Sequence, residues 1–184
     1  LGTGTRSEIR HGNGATTTVV AYEGQNAPDY NGTFSVMEDL TLGRGGHIGF
    51  HAWLAGTSGG QQDDEAIYRA TGTLLKEVAR EDRTSPDGEG TFGAPASQVR
   101  SLYGPAINSV GEVAFKASLR GTTKVKGLYS GVPGGMTALL RTGDPMPGGG
   151  VLGNSSYAKT PVISDSGRAA FCFYAQRVHL DSLV

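Results

Sequence analysis

Gly46-His47-Ile48-Gly49-Phe50, Gly111-Glu112-Val113-Ala114-Phe115 and Gly167-Arg168-Ala169-Ala170-Phe171 share one template. Each is a turn glycine, two variable residues, a small residue and Phe. Copies of one template must fold alike, so the repetition sets the architecture before any single residue does. Upstream of each lies a second landmark: Ala27-Pro28-Asp29-Tyr30-Asn31-Gly32-Thr33-Phe34, then Ser85-Pro86-Asp87-Gly88-Glu89-Gly90-Thr91-Phe92, then the shorter Met146-Pro147-Gly148-Gly149-Gly150-Val151-Leu152. Apolar runs precede these, from Val19, Glu77 and Leu139, and short apolar pairs precede the runs at Ile9, Ile67 and Leu128. Ile9 to Ile67 is 58 residues, Ile67 to Leu128 is 61, and Leu128 to Val184 is 56, with Leu183-Val184 a last weak copy. The 184 residues therefore read as one repeat domain, 1–184, with units 9–66, 67–127 and 128–184.

Each unit holds four candidate strands divided by Gly, Pro, Asn and Asp clusters. In residues 128–184 and the glycine before them they are 127–132, 136–141, 160–164 and 168–176. The segment from Leu74 to Glu81 has a helical composition, but its counterpart Thr16 to Glu23 is rich in Thr and Val. Equivalent positions share a fold and helix propensity is a weak prior, so both are read as strands. The Phe strand alternates. Phe50, Ala52 and Leu54 share one face and His51, Trp53 and Ala55 the other; Phe115, Ala117 and Leu119 oppose Lys116, Ser118 and Arg120. Period two with one constant apolar face predicts antiparallel strands with the variable face in solvent. The expected fold is all-β: tandem four-stranded antiparallel units.

Composition agrees: 37% apolar residues and 30 glycines suit a turn-rich β protein, and a net charge of −1 without a basic stripe disfavours nucleic acid. No apolar run approaches the ~20 residues of a membrane-spanning helix. The chain opens at Leu1 without a signal-peptide pattern and reads as a processed or excised piece. Cys172 is the sole cysteine, so no internal disulfide forms, and it reads as a small semi-buried thiol.

The pattern Asn108-x-x-Gly111-x-x-Ala114-Phe115 resembles the tandem NxxGxxAF-repeat proteins of bacterial surfaces. The likeness continues through Ala117-Ser118-Leu119, Gly121, Gly127-Leu128-Tyr129, Leu139-Leu140, Gly143-Asp144 and Pro147. The first unit departs with Gly43 for Asn and Gly49 for Ala, the third with Ser164 for Asn. The resemblance implies an exported, surface-anchored or secreted repeat protein with no assigned biochemical activity. Serial four-stranded units of ~60 residues are also the signature of propeller blades. The turn from Ser85 to Phe92 resembles an Asp-box with one glycine displaced. Three blades are fewer than a propeller takes, so closure within one chain is not expected.

Several residue groups invite a chemical reading. Asp29 with Asn31, and Asp87 with Glu89, put oxygen ligands on alternate residues and are candidate calcium ligands, although Asp and Asn also serve as turn formers. Calcium is the only cofactor so suggested. His47 and His51 share a strand face and could bind a metal, or lie on a solvated face. Asp63, Asp64 and Glu65 read as a solvated acidic tip. Glu23, Asp82 and Asp144 sit in matching turns and are the carboxylates a glycosidase would need. Trp53 and Tyr174 form a candidate sugar-stacking platform or pack against a neighbouring sheet. Asn31 and Asn154 head glycosylation sequons. No phosphate loop, Ser-His-Asp order or Cys pair is present, so no catalytic residue is assigned.

The resulting expectation is a structural or adhesive module of the cell exterior. It would self-associate head to tail through terminal edge strands at Ser7 to Arg10 and Asp181 to Val184. A carbohydrate-active enzyme or a glycan-binding module acting on polysaccharide is the alternative.

Overall fold

A computed structural model describes residues 5–94, 100–147, 149–154 and 160–172, with the backbone of 175–176. Tyr174 and the segment from Asp181 to Val184 lie outside the described residues. Among the described residues fifteen strands run in order: β1 (Glu8–Gly12), β2 (Thr17–Tyr22), β3 (Thr33–Leu42), β4 (His47–Ala55), β5 (Glu65–Thr71), β6 (Leu74–Arg80), β7 (Thr91–Phe92), β8 (Leu102–Ile107), β9 (Val113–Arg120), β10 (Lys126–Val132), β11 (Gly135–Arg141), β12 (Val151–Leu152), β13 (Val162–Ile163), β14 (Ala169–Ala170) and β15 (Ala175–Gln176). The fold is all-β with tandem antiparallel sheets, as expected. The helical-looking stretch 74–80 is a strand: its backbone pairs with β5, and tertiary pairing overrides its local propensity.

The first complete sheet is ordered β3-β4-β5-β6. The second is β11-β10-β9, with β7 and β8 both on the remaining edge of β9. Together β7 and β8 stand where β3 stands in the first sheet. The sheets are phased half a period from the units read in the sequence. A Phe strand pairs with the Ile67-type strand that follows it, so each unit of 9–66, 67–127 and 128–184 divides between two sheets. Among the described residues, β1–β2 corresponds to the outer half of a sheet, and β12–β15 with β13–β14 to an inner half.

Register makes the equivalence concrete. Ile9 faces Ala21, Ile67 faces Ala79 and Leu128 faces Leu140, and a bulge follows each of the three pairs. The entry turn also recurs. Its last residue receives and gives backbone hydrogen bonds in the same pattern at Phe34, Phe92 and Leu152. The turn glycine of the template takes φ of 77°, 80° and 76° at Gly46, Gly111 and Gly167, a conformation that penalises any Cβ.

Two near-identical aromatic trios fill the core. Phe34, Phe50 and Tyr68 have centroid separations of 5.9, 5.0 and 5.6 Å. Phe92, Phe115 and Tyr129 have 6.0, 5.0 and 5.7 Å. The first trio packs with Ile9, Val20 and Ala21 of the preceding half sheet; the second packs with Ile67, Val78 and Ala79 of the preceding full sheet. Sheets thus stack face to face, and this overturns one expectation. The variable face of β4 is not solvated: His51 is wholly buried and Trp53 half-buried, because that face meets the next sheet. Close stacking also explains the departure at Gly43, where a Cβ would overlap the Asn108 carbonyl; at neighbouring Gly45 a Cβ would overlap the Ser109 carbonyl.

Candidate functional site

The two bulkiest fully buried side chains are arginines, Arg80 and Arg141, at the ends of β6 and β11. Burial of a guanidinium requires an anion and filled hydrogen bonds. Arg80 donates from Nε to the Asp63 carbonyl at 2.8 Å, from Nη1 to Asp29 Oδ2 at 2.8 Å and from Nη2 to the Asn31 carbonyl at 2.7 Å. Arg141 repeats the arrangement, donating from Nη1 to the Glu89 carbonyl at 3.0 Å and from Nη2 to Asp87 Oδ1. The entry turns are built for this. Asp29 Oδ1 accepts Asn31 N at 3.1 Å and Asp87 Oδ1 accepts Glu89 N at 3.2 Å, which points backbone carbonyls at the guanidinium.

Of the residues read as candidate calcium ligands, Asp29 and Asp87 each place a carboxylate oxygen on a guanidinium, and Asn31 and Glu89 a backbone carbonyl, which ties a sheet's entry turn to its last strand. No cluster of three or more His, Cys, Asp or Glu suited to a metal occurs among the described residues. Burial alone would oppose ionisation of Asp87. Hydrogen bonds from Ser85 and Glu89 N and the Arg141 charge outweigh it and hold the carboxyl below its ordinary range.

A second polar cluster lies between the two complete sheets. Glu65, wholly buried, accepts His51 Nε2 on Oε1 at 2.7 Å and Leu102 N on the same oxygen at 2.8 Å, and takes Ser101 N on Oε2 at 2.6 Å. One carboxylate of the first sheet therefore holds two backbone amides of the second. His51 Nδ1 lies 3.3 Å from Glu38 Oε1 without hydrogen-bond alignment. Arg100 sits on the same patch, 3.3 Å from Glu38 and 3.8 Å from Glu65. Trp53 donates to Glu38 at 3.4 Å and meets the His51 ring edge-on at 5.5 Å. The proposed metal pair does not assemble, because His47 turns to the Thr71 hydroxyl at 2.9 Å while His51 is committed to Glu65.

The acidic tip is not solvated either. Asp63 is 7% exposed and accepts Asn31 Nδ2 at 2.8 Å and Gly59 N at 3.1 Å. Burial, reinforced by the charges of Glu65 and Asp64 and opposed by the Ser101 hydroxyl, pushes the Glu81 carboxyl up to about 7. Asp64, hydrogen-bonded to Glu81, is raised as well, by burial first and the Glu65 charge second. A polar cavity of about 140 Å³ opens here, lined by Asn31, Asp63, Arg80, Glu81, Asp82 and Arg83.

The three turn carboxylates are not equivalent. Backbone bonding aligns Gly24, Asp82 and Gly143, one residue away from the reading that matched Glu23, Asp82 and Asp144. Each is occupied locally: Glu23 by Ser7 N at 3.1 Å, Asp82 by Arg120 at 2.6 Å, and Asp144 by Arg141 N at 2.7 Å. The Asn31 sequon is half-buried, and its amide is spent on Asp63 and on Ser58 N at 2.8 Å. Asn154 and Cys172 are exposed. Arg80, Arg141, Glu81 and Ser101 were not singled out from sequence. For the two arginines the signal was the co-occurrence of a turn Asp with an arginine one sheet-length later.

Stacked antiparallel sheets, repeated turns and repeated clamps define a tandem β-repeat protein. The chain belongs to the family of unknown function DUF7453, which matches it twice, over residues 3–99 and 88–183. Each match spans one complete sheet with parts of its neighbours. No curated protein and no solved structure matches it significantly.

Proposed function

We propose that the chain is a structural, adhesive β-repeat module of the cell exterior that extends by adding sheets edge to edge, in the manner of an open propeller-like stack. The observation that carries this is the half sheet β1–β2. It reproduces the outer half of the complete sheets, bulge included, yet the β1 edge corresponding to the β4-facing edge of β5 has no partner among the described residues. Such an edge is a template for another strand. The likeness to NxxGxxAF repeats of bacterial surface proteins supports the exterior location. Light scattering across the micromolar range, with wild type and a variant lacking residues 1–12, tests the reading. Concentration-dependent assembly lost on deletion is expected. A strict monomer refutes it.

A second reading has a separate support. Glu81, titrating near neutrality beside a polar cavity, has the character of a general acid or base, and favours carbohydrate-active chemistry over the Asp82 and Asp144 pair. A polysaccharide degradation screen on wild type and Glu81→Gln decides it. Absence of turnover, or turnover indifferent to the substitution, removes this reading.

A further inference from the structure

A cleft of about 320 Å³ lies between the two complete sheets, bounded by β6 of the first and by β7 and β11 of the second. Val78, Ala79, Phe92 and Met136 give it an apolar floor, and Glu77 and Arg83 a polar wall. An apolar cleft of this size with a few converging polar groups is the usual form of a small-molecule site.

The repeat supplies an internal control. Register and backbone bonding match Val78 to Val20, Ala79 to Ala21 and Phe92 to Phe34, so the floor is scaffold copied from one junction to the next. The polar wall is not copied. Glu77 falls on Val19 of β2 and on Ala138 of β11, and Arg83 falls on Gln25. The acid and the arginine are additions to a wall that folds elsewhere without them.

Glu77 is poorly satisfied by the protein itself. Its side chain is 23% exposed, and burial raises its carboxyl above the ordinary range against the pull of the Arg83 charge. Oε2 is buried and accepts no hydrogen bond among the described residues, with Arg80 Nη1 3.8 Å away. Oε1 lies 3.6 Å from Arg83 Nε. Tyr68, directly opposite Glu77 and so on the same sheet face, also has a buried hydroxyl without a partner among the described residues. A buried acceptor calls for a donor.

Charge balance selects the ligand class. Glu77 and Asp29 stand against Arg80 and Arg83, at separations of 2.8–3.8 Å, so the wall offers acceptors and donors with no net charge. An ammonium would meet Arg83 and an anion would meet Glu77. Arg83 gives one hydrogen bond to Asp29 at 3.3 Å, has five donors in all and is 57% exposed. The fitting ligand is neutral, carries neighbouring hydroxyls that both give and accept hydrogen bonds, and has an apolar face for the floor. A pyranose ring has all three properties.

We propose that this cleft binds one neutral sugar unit, with a hydroxyl donating to Glu77 Oε2, a neighbouring hydroxyl oxygen accepting from Arg83, and the C–H face of the ring on Val78, Phe92 and Met136. Such binding requires neither edge extension nor turnover at Glu81, so a monomer or an inactive protein leaves it standing.

The test is saturation-transfer NMR titration with glucose, galactose, mannose and N-acetylglucosamine as free sugars, and with glucosamine and glucuronate as charged comparators. At least one neutral sugar should give a saturable signal in the millimolar range, strongest at the protons of one ring face. Glu77→Val and Arg83→Gln restore the residues of the preceding junction, so both variants are expected to fold, which circular dichroism verifies. Each should weaken binding at least about tenfold, the loss of a hydrogen bond to a charged group. Glu77→Val should also melt no lower than wild type, because it removes a buried carboxyl with an unmet oxygen; a purely structural glutamate would lower the melting temperature instead. No saturable signal from any neutral sugar overturns the site. So does tighter binding of glucosamine or glucuronate, or binding retained in either folded variant. If Glu77→Val melts clearly lower, Arg83→Gln decides: lost binding with the fold intact supports the site, and retained binding overturns it.

Discussion

Replacing Arg80 with Met tests whether the clamp holds the first sheet together. The guanidinium makes three hydrogen bonds of 2.7–2.8 Å and is 1% exposed. Methionine keeps most of the volume and removes the charge and all the donors. Removing one member of a buried pair costs about 3–5 kcal/mol, because its partners are left without hydrogen bonds. Asp29 is 29% exposed and water can reach it, which puts the effect at the lower end, about 3 kcal/mol. At about 2–4 °C per kcal/mol for a chain of this size, the melting temperature falls by about 6–12 °C. Arg141→Met should cost less. Its Nε has no partner, and its acidic partners Asp87 and Glu89 are 35% and 54% exposed.

The assay is urea unfolding of wild type, the two single variants, Asp29→Asn and the Asp29→Asn/Arg80→Met double variant. The double variant should lose clearly less than the sum of its singles, because both act on one contact. Repeat arrays can unfold in stages, so tryptophan fluorescence reports the first sheet through Trp53, the sole tryptophan. If Arg80→Met lies within about 0.5 kcal/mol of wild type, the range of an ordinary surface substitution, the clamp reasoning is wrong.

Two further expectations follow from single residues. Glu81 has its folded pKa pushed up to about 7, above the ordinary carboxylate value near 4.5. Its stabilising share is therefore complete below about pH 4.5 and lost as pH rises through 7, by at most about 3 kcal/mol. Glu81→Gln, a neutral mimic, should match wild type at acid pH and melt higher at pH 8; equal melting at both ends of a pH series contradicts the burial argument. Tyr30 is 83% exposed with φ of 60°, where the equivalent turns carry Gly88 at 75° and Gly149 at 91°. Tyr30→Gly should relieve left-handed strain and stabilise by about 0.5–1 kcal/mol after the extra entropy of an unfolded glycine, as read by urea midpoint; destabilisation would mean the ring makes a contact that matters.

The period, the strand positions and the apolar Phe face were legible because they depend on one strand at a time. Even the helical-looking stretch 74–80 was assigned correctly through its threonine- and valine-rich counterpart. Sheet phase was not legible, since the letters of a strand do not say which neighbour it pairs with. The burial of His51 was missed for the same reason: alternation within one strand describes one sheet, and the second face is covered by another. The clamps were half legible. The turn residues Asp29 and Asp87 stand out in the sequence, but their guanidinium partners needed register, which alone brings Arg80 and Arg141 back to turns about fifty residues earlier.

Stacked repeats face a problem of order that apolar packing does not solve. The trio of Phe34, Phe50 and Tyr68 and that of Phe92, Phe115 and Tyr129 are close to superimposable in spacing and tilt, so either core would accept either neighbour. The junctions differ in their polar contacts. Glu65 with His51 grips the amides of Ser101 and Leu102 at one junction. At the next, Asn108 Nδ2 donates to the Ser164 carbonyl at 3.0 Å and Ser109 N to Asp165 at 2.9 Å. Exchanging neighbours would leave the buried Asn108 amide and the Glu65 carboxylate without these partners, at about 1–3 kcal/mol for the amide and more for Glu65, while the exposed Ser109–Asp165 contact would be made good by water. The uniform aromatic core supplies cohesion to every junction alike, and the non-repeating polar residues determine which sheet follows which.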